Sequence, residues 1–371
     1  MKTSNKIRIG FVLPRDLHNY KPFRNQPLNA LYLLTLIERE FGKNAEISII
    51  DLRCVSKENI VYYVPKKDLY LYSVATIDYP ETVRTVGEIR KAYPLARHVA
   101  GGIHINIYPE KSAEVFDAVA LGDGEYIVSG IVRDAMAGAL KKVYLDERPI
   151  DINAFPYPDR KFLPNTAIAD TGFLNAPYSG LPGTGVLFSR GCPYKCDFCA
   201  NLVQAPARFR KPDLITKEIE YLKKDYGVKA LVIKDDNIFA LNSEVARQTL
   251  AAIGKTGVKW RANSRANDVP RALIKMAKEA GCVDLAVGVE SVSQKVLDLI
   301  HKRLDFGKAK DFLGLLREEG IGIRLNLIIG LPGEPKDIAK RTIAFIKAVR
   351  PSSVLLSILT PVPGSMIFKD L

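Results

Sequence analysis

Three cysteines, Cys192, Cys196 and Cys199, fall within eight residues in the segment Ser189-Arg-Gly-Cys-Pro-Tyr-Lys-Cys-Asp-Phe-Cys-Ala200. Thiolates are soft metal ligands, and a C-x3-C-x2-C spacing lets one short loop wrap three of them around a single inorganic core. A structural zinc site wants four protein ligands. The other cysteines, Cys54 and Cys282, stand alone, and the nearest histidines, His98, His104 and His301, lie far off in sequence. The loop therefore suggests an iron–sulfur cluster with one iron left open for a ligand, with zinc as the plain alternative. Five cysteines in so long a chain are not a disulfide framework, and point to a reducing cytosol.

The elements that must position this loop follow from periodicity. Short β-rich runs at residues 7–13, 46–52, 69–75, 98–100 and 118–121 alternate with amphipathic stretches. Pro27 opens one helix, whose apolar face carries Leu28, Leu31, Leu34 and Leu36, and Gly42 ends it. Strands separated by helices imply a parallel sheet covered on both faces. Residues 141–183 are rich in Pro and Gly and read as a surface linker. From residue 185 the alternation resumes with strands expected at 186–189, 230–234, 258–261, 285–289, 322–329 and 353–359, the first five each followed by a helix. That pattern predicts an α/β unit, either a doubly wound sheet or a partial barrel.

Composition sets the outer bounds. At 371 residues two domains are expected, and 47% hydrophobic with 26% charged residues excludes a disordered or fibrous chain. The net charge of +13 is uneven, with 22 basic against 20 acidic residues in the first 160 and 32 against 21 in the rest. A basic second half attracts anionic partners but says nothing about fold. No apolar run approaches the roughly 18 residues a spanning helix needs, so no membrane span is expected.

The cysteine segment resembles the radical S-adenosylmethionine (radical SAM) superfamily, and the similarity extends over residues 185–371. In that family three such cysteines hold a 4Fe-4S cluster whose fourth iron binds S-adenosylmethionine. Reduction then yields a 5'-deoxyadenosyl radical that abstracts hydrogen from substrate, the cofactor carrying the difficult chemistry. The resemblance implies Cys192, Cys196 and Cys199 as ligands and Phe198 beside the adenine. Asp235 and Asp236 match the family's acidic pair, and Arg261, Asn263 and Arg265 its polar residues near the cofactor. Glu290 and Ser291 would meet the ribose or methionine end, and Ile328, Gly330 and Pro332 the adenine. Alone each fragment is weak; in order, each at a strand's carboxyl end, they mark one face of a (β/α)6 TIM-like barrel.

The N-terminal half is similar to the flavodoxin/Rossmann-like cobalamin-binding domain that often precedes this barrel. The implied division is 1–145 for that domain, 146–184 for a linker and 185–371 for the radical SAM core. Ser73, Gly101, Gly102, His104, Gly122, Gly124 and Glu125 would line a crevice at the strand ends, where glycine permits close backbone approach. The longer D-x-H-x-x-G signature survives only as Asp16-Leu-His18, with Lys21 in the glycine position, so His18 reads as a surface residue rather than a cobalt ligand.

The resemblance implies a cobalamin-dependent methyltransferase acting on an unactivated carbon or phosphorus, served by an external electron donor such as a flavodoxin or ferredoxin. The alternative in the same family is cyclisation, rearrangement or C–C bond formation, with the first domain as scaffold. A different class, a nucleic-acid-binding protein with a structural metal loop, rests on basic runs such as Arg208-Phe-Arg-Lys211 and is the weaker reading, because basic charge is far less specific than an ordered motif set. A small-molecule or anionic substrate fits the basic half.

Overall fold

The structure, a computed structural model, describes residues 6–19, 21–200, 207–239, 243–266 and 269–371. The chain forms two compact units, residues 1–168 and 169–371.

Unit one is a six-stranded sheet of β1 (Ile7–Leu13), β2 (Ala45–Asp51), β3 (Leu69–Ser73), β4 (Arg97–Gly101), β5 (Ala118–Gly122) and β6 (Val143–Asp146). All neighbours pair in parallel in the order β2-β1-β3-β4-β5-β6. Helices Leu28–Phe41, Tyr79–Ala92 and Gly124–Met136 supply crossovers, and two apolar clusters cover the sheet's faces. The first helix ends at Gly42, with φ 47°, where the sequence places its stop. Strand β6 is an addition to the expected five. Its alternation is only four residues long and its Val143 and Leu145 are about half exposed, so it carries no buried apolar run to read.

Unit two holds a second six-stranded sheet, β7 (Gly183–Val186), β10 (Ala230–Ile233), β11 (Lys259–Arg265), β12 (Cys282–Glu290), β13 (Gly322–Ile329) and β14 (Ser353–Ile358), again wholly parallel and in chain order from β7 to β14. Between β7 and β10 lies a separate antiparallel ribbon, β8 (Ser189–Arg190) with β9 (Arg208–Phe209). Helices Pro212–Tyr226, Ser243–Gly254, Arg271–Glu279, Phe306–Glu318 and Ile338–Val349 follow the strands.

Alternation along these strands sorts side chains to two faces. Trp260 and Ala262 on β11, Leu285, Val287 and Val289 on β12, and Ile323, Leu325 and Leu327 on β13 pack against Ile215, Ile219, Leu250, Leu273, Leu313 and Leu316 of the helices. Each buried Leu or Ile there contributes about 1.5–3 kcal/mol of transfer free energy. The opposite face receives Arg261, Asn263 and Arg265 from β11, Asp284, Gly288 and Glu290 from β12, and Arg324, Asn326 and Ile328 from β13. This polar face explains why sequence reading stopped the third strand at residue 261, whereas the ladder runs on to Arg265.

The first strand of this unit also differs from expectation. Gly183–Val186 pairs with β10, while residues 186–189 had been expected. The strand begins in Gly-Thr-Gly, which shows no apolar pattern, yet a Cβ at Gly183 would stand 3.1–3.3 Å from Phe173 and Ala230. Close packing, not periodicity, makes the strand.

Candidate functional site

The ribbon β8/β9 closes the cysteine segment into a loop, with Ser189 opposite Phe209 and Arg190 opposite Arg208. Residues 201–206 of that loop lie outside the described residues. Its backbone is tied down on two sides. The Asp197 N–H donates to Ile300 O at 3.1 Å, and the Asp197 carbonyl accepts from Ile367 N at 3.1 Å. The Cys199 N–H donates to Cys196 O at 3.0 Å, turning the loop between the last two cysteines. Cys192 and Cys196 are half-buried and Cys199 is exposed. Burial pushes the Cys192 thiol up, and nearby Asp236 and Cys196 add to this. Among the described residues no three His, Cys, Asp or Glu side chains are gathered closely enough to hold one metal ion.

Arg265, the last residue of β11, reaches this loop. It is 6% exposed. Its Nη1 donates to Cys196 Sγ at 3.3 Å, and its guanidinium lies 3.9 Å from the Tyr194 ring centroid. The Nε and Nη2 atoms are buried and make no hydrogen bond among the described residues. Buried donors in this state are costly unless a bound group satisfies them. Asn237 helps to place Arg265, since its Oδ1 accepts from the Arg265 N–H at 3.4 Å and from Phe239 N at 3.2 Å.

A second group forms around Phe198. With Ile328 and Leu359 it packs against a buried cluster of Val296, Ile300 and Leu331, and Lys302 Nζ sits 5.5 Å from its ring centroid. Lys302 Nζ donates to Glu290 Oε1 at 2.8 Å, both side chains being nearly buried. Glu290 has φ 70°, at a register shift where β12 passes β13. A non-glycine residue at such a φ stores strain of about 1–3 kcal/mol and persists only where its surroundings over-determine it. A Cβ at Gly288 would come 2.5 Å from Glu290 Oε1 and 3.4 Å from Lys302 Nζ, so the glycine makes room for this pair. Ser291 is buried and its Oγ accepts from Ser293 N at 3.3 Å. Beyond β13, Gly330 N donates to Glu334 Oε2 at 3.0 Å, and Gly330 and Pro332 are exposed.

Asp235 is fully buried, and its Oδ1 accepts from Phe188 N at 2.8 Å. Burial raises its carboxyl to about 6, against hydrogen bonds from Ser189 and Phe188 that pull the other way. Its bonding is to the segment entering the cysteine loop, which it braces. Asp236, next in sequence, is exposed. Asn263 Nδ2 donates to Asp235 O at 3.1 Å. Arg261 is the β11 neighbour of Asp284 on β12, and Asp284 also meets Arg324 Nε at 3.0 Å.

In unit one the expected residues cluster at the carboxyl ends of β3, β4 and β5. The strand order reverses beside β1, so a crevice is expected outside the ends of β1 and β3. Gly102 (φ 98°) and Gly122 (φ 88°) are positions where a side chain is strained. A Cβ would stand 2.7 Å from Val74 N at the first and 2.3 Å from Asp146 O at the second. Asn106 bridges the two turns, its Nδ2 donating to Gly102 O and its Oδ1 accepting from Gly122 N, each at 2.9 Å. Ser73 Oγ accepts from Asn29 Nδ2 at 2.6 Å. Gly101 lies against Ala120 and Gly124 against Leu33. Glu125 is buried in the first turn of its helix. His104 is also buried, stacked 3.9 Å from Tyr79 and tilted against Tyr108 at 5.1 Å, while His18 is exposed. Exposed Leu17, Ile77 and Ile103 sit on the segments after β1, β3 and β4.

Comparison with known proteins assigns the domain. Residues 186–346 match the Radical SAM superfamily. The chain carries a radical SAM domain. An uncharacterised methyltransferase of Pyrococcus horikoshii is 28% identical over 371 residues, covering 92% of this chain and 78% of that protein. An anaerobic magnesium-protoporphyrin IX monomethyl ester cyclase of Rubrivivax gelatinosus is 26% identical over 316 residues, covering 78% of this chain and 55% of that one. The solved structure of the radical S-adenosylmethionine methyltransferase TsrM from Kitasatospora setae, with cobalamin and a [4Fe-4S] cluster bound, superposes with TM-score 0.74 at 18% identity, covering 98% of this chain and 77% of that one. That likeness is one of fold, mixed α/β with parallel sheets.

Sequence reading missed Lys302, Tyr194, Asn237 and Asn106. The run His301-Lys302-Arg303 looks like a solvated basic patch, yet its middle residue is 5% exposed because His301 and Arg303 both take positive φ. Arg208-Phe-Arg-Lys211 was the basic run offered for nucleic acid. Its Arg210 is 4% exposed and its Arg208 closes the ribbon, so two of its three cations serve the architecture and Lys211 alone is exposed. No helix among the described residues is long and apolar enough to cross a membrane.

Proposed function

We propose that this chain is a cobalamin-dependent radical SAM methyltransferase, with unit one as the cobalamin-binding domain and the inner face of unit two as a partial-barrel site. The observation that carries the reading is the extent of similarity. The Pyrococcus methyltransferase aligns over 92% of the chain, well beyond residues 186–346, so unit one is part of what is shared. The residues fit the cofactors. Three thiols on one tethered loop suit a cluster rather than a single ion, and the unfilled Nε and Nη2 donors of buried Arg265 suit an anionic group beside it. At the carboxyl ends of unit one, Gly102 and Gly122 keep the turns free of side chains, and Leu17, Ile77 and Ile103 offer apolar surface to a broad ring.

When bound, the cluster and S-adenosylmethionine supply a one-electron source and a hydrogen-abstracting radical, and cobalamin a transferable methyl group. The chain's own residues hold and orient. Cys192, Cys196 and Cys199 would ligate the cluster. Arg265 would clamp the carboxylate of S-adenosylmethionine, its planar fork matching a carboxylate's geometry. Phe198 and Ile328 would form an apolar wall for the adenine. Lys302 aims the Glu290 carboxyl through their 2.8 Å ion pair, at the cost of burying both groups. Deeper on the inner face, Lys234 packs over Gly185, and Arg261 and Arg324 flank Asp284. This excess of cations suits an anionic substrate.

Anaerobic reconstitution with iron, sulfide and hydroxocobalamin, followed by gel filtration and visible absorption, tests the reading. One cobalamin retained per chain, together with a cluster lost in C196A, is expected. A protein that takes up the cluster and releases all cobalamin would sink the methyl-transfer assignment.

A further inference from the structure

We propose that Arg265 raises the reduction potential of the cluster through its bond to Cys196. The inference rests on the functional reading above, and goes beyond it in giving the Nη1 side of the guanidinium a separate task. The geometry is direct, an N–H donor 3.3 Å from the sulfur of one of the three thiols on the loop.

Reduction of a 4Fe-4S cluster from the 2+ to the 1+ state adds one negative charge to the cluster and its thiolates. Hydrogen bonds to ligand sulfurs and nearby net charge are among the levers that set such potentials. A donor that is also a cation favours the more negative state twice over, by hydrogen bond and by field. Arginine cannot lose its proton in a protein, so the charge is permanent. At 6% exposure it is poorly screened by water. The group is also held still. Tyr194 lies against the guanidinium face at 3.9 Å, the backbone N–H is taken by Asn237 at 3.4 Å, and the residue closes the β11 ladder opposite Gly288. Cys196 Sγ is thus presented with a fixed positive donor before any cluster is assembled.

The test is a reductive titration of the reconstituted protein, followed by electron paramagnetic resonance of the reduced cluster, with a low-potential chemical reductant supplying the single electron. R265M, which keeps bulk but removes charge and donors, is expected to lower the reduced-to-oxidised ratio at a fixed potential at least tenfold, about 59 mV for a one-electron couple. R265K keeps the charge but not the planar fork and is expected between R265M and wild type. Y194L keeps both and frees the guanidinium, so its shift is smaller and of the same sign. If R265M fails to take up a cluster, R265K and Y194L decide. Variants that carry a full cluster with a ratio within twofold of wild type overturn this inference and leave the functional reading intact. A wild-type chain that takes up no cluster overturns both.

Discussion

Two parallel six-stranded sheets stand one after the other in this chain, and their carboxyl ends are finished in opposite ways. In unit one the strand ends are trimmed to Ser73, Gly101, Gly102 and Gly122, and the turns are held by backbone and by the neutral amide of Asn106. In unit two the corresponding ends carry Asp235, Arg265, Glu290 and, packed on them, Lys302, all buried or nearly so. The first design makes room and the second places charge. A large preformed ring needs backbone to step aside, whereas a small charged cofactor and a cluster need donors fixed in a dry place. The contrast predicts that charge changes disable unit two, while added side-chain volume disables unit one.

The largest effect is expected at the buried ion pair. K302M leaves the Glu290 carboxylate buried without its cation, which typically costs about 3–5 kcal/mol. Adding E290Q should recover much of that loss in urea denaturation. If the double variant is no more stable than K302M, the pair is not the source of the cost.

Asp235 comes next, and its sign is opposite to that of a salt-bridged acid. Its folded value of about 6 lies above the unfolded value of 3.8, so the ionised form is penalised on folding. The penalty is absent below about pH 4, grows as pH rises through 6 and is about 3 kcal/mol above that. D235N keeps an acceptor for the Phe188 N–H and removes the charge. The difference in denaturation midpoint between D235N and wild type should therefore widen in the variant's favour from pH 4 to 6, since the buried His98, held down at about 4, acts alike on both. A difference that stays constant over that range would show that Asp235 does not titrate there.

The smallest effect is expected in unit one. G122A introduces a Cβ at φ 88° and 2.3 Å from Asp146 O. Strain of this kind costs about 1–3 kcal/mol. Cobalamin retention should fall more than stability does, and unchanged retention would mean that the turn does not face the ligand.

The two units were also unequally legible. In unit one β1 follows from its apolar run, and the first helix from Pro27 and Gly42, but β6 does not, because its Val143 and Leu145 are half exposed. In unit two the cysteine loop is fully written in its spacing. What surrounds it is not, because its elements owe their form to contacts distant in sequence. Lys302 is legible only once Glu290 and Phe198 are beside it, 12 and 104 residues away in the chain. Gly183–Val186 is a strand because Phe173 and Ala230 leave no room for side chains at its start, a fact no periodicity contains. β11 hides its ladder for a related reason, since Arg261, Asn263 and Arg265 on its polar face break the apolar pattern.

The central claim is methyl transfer by a chain that also makes radicals, and the products of S-adenosylmethionine test it most directly. Reconstituted protein loaded with cobalamin, incubated anaerobically with S-adenosylmethionine and a low-potential reductant, should release both S-adenosylhomocysteine and 5'-deoxyadenosine. C196A should release neither. Formation of 5'-deoxyadenosine with no S-adenosylhomocysteine, from protein shown to hold cobalamin, would contradict the account.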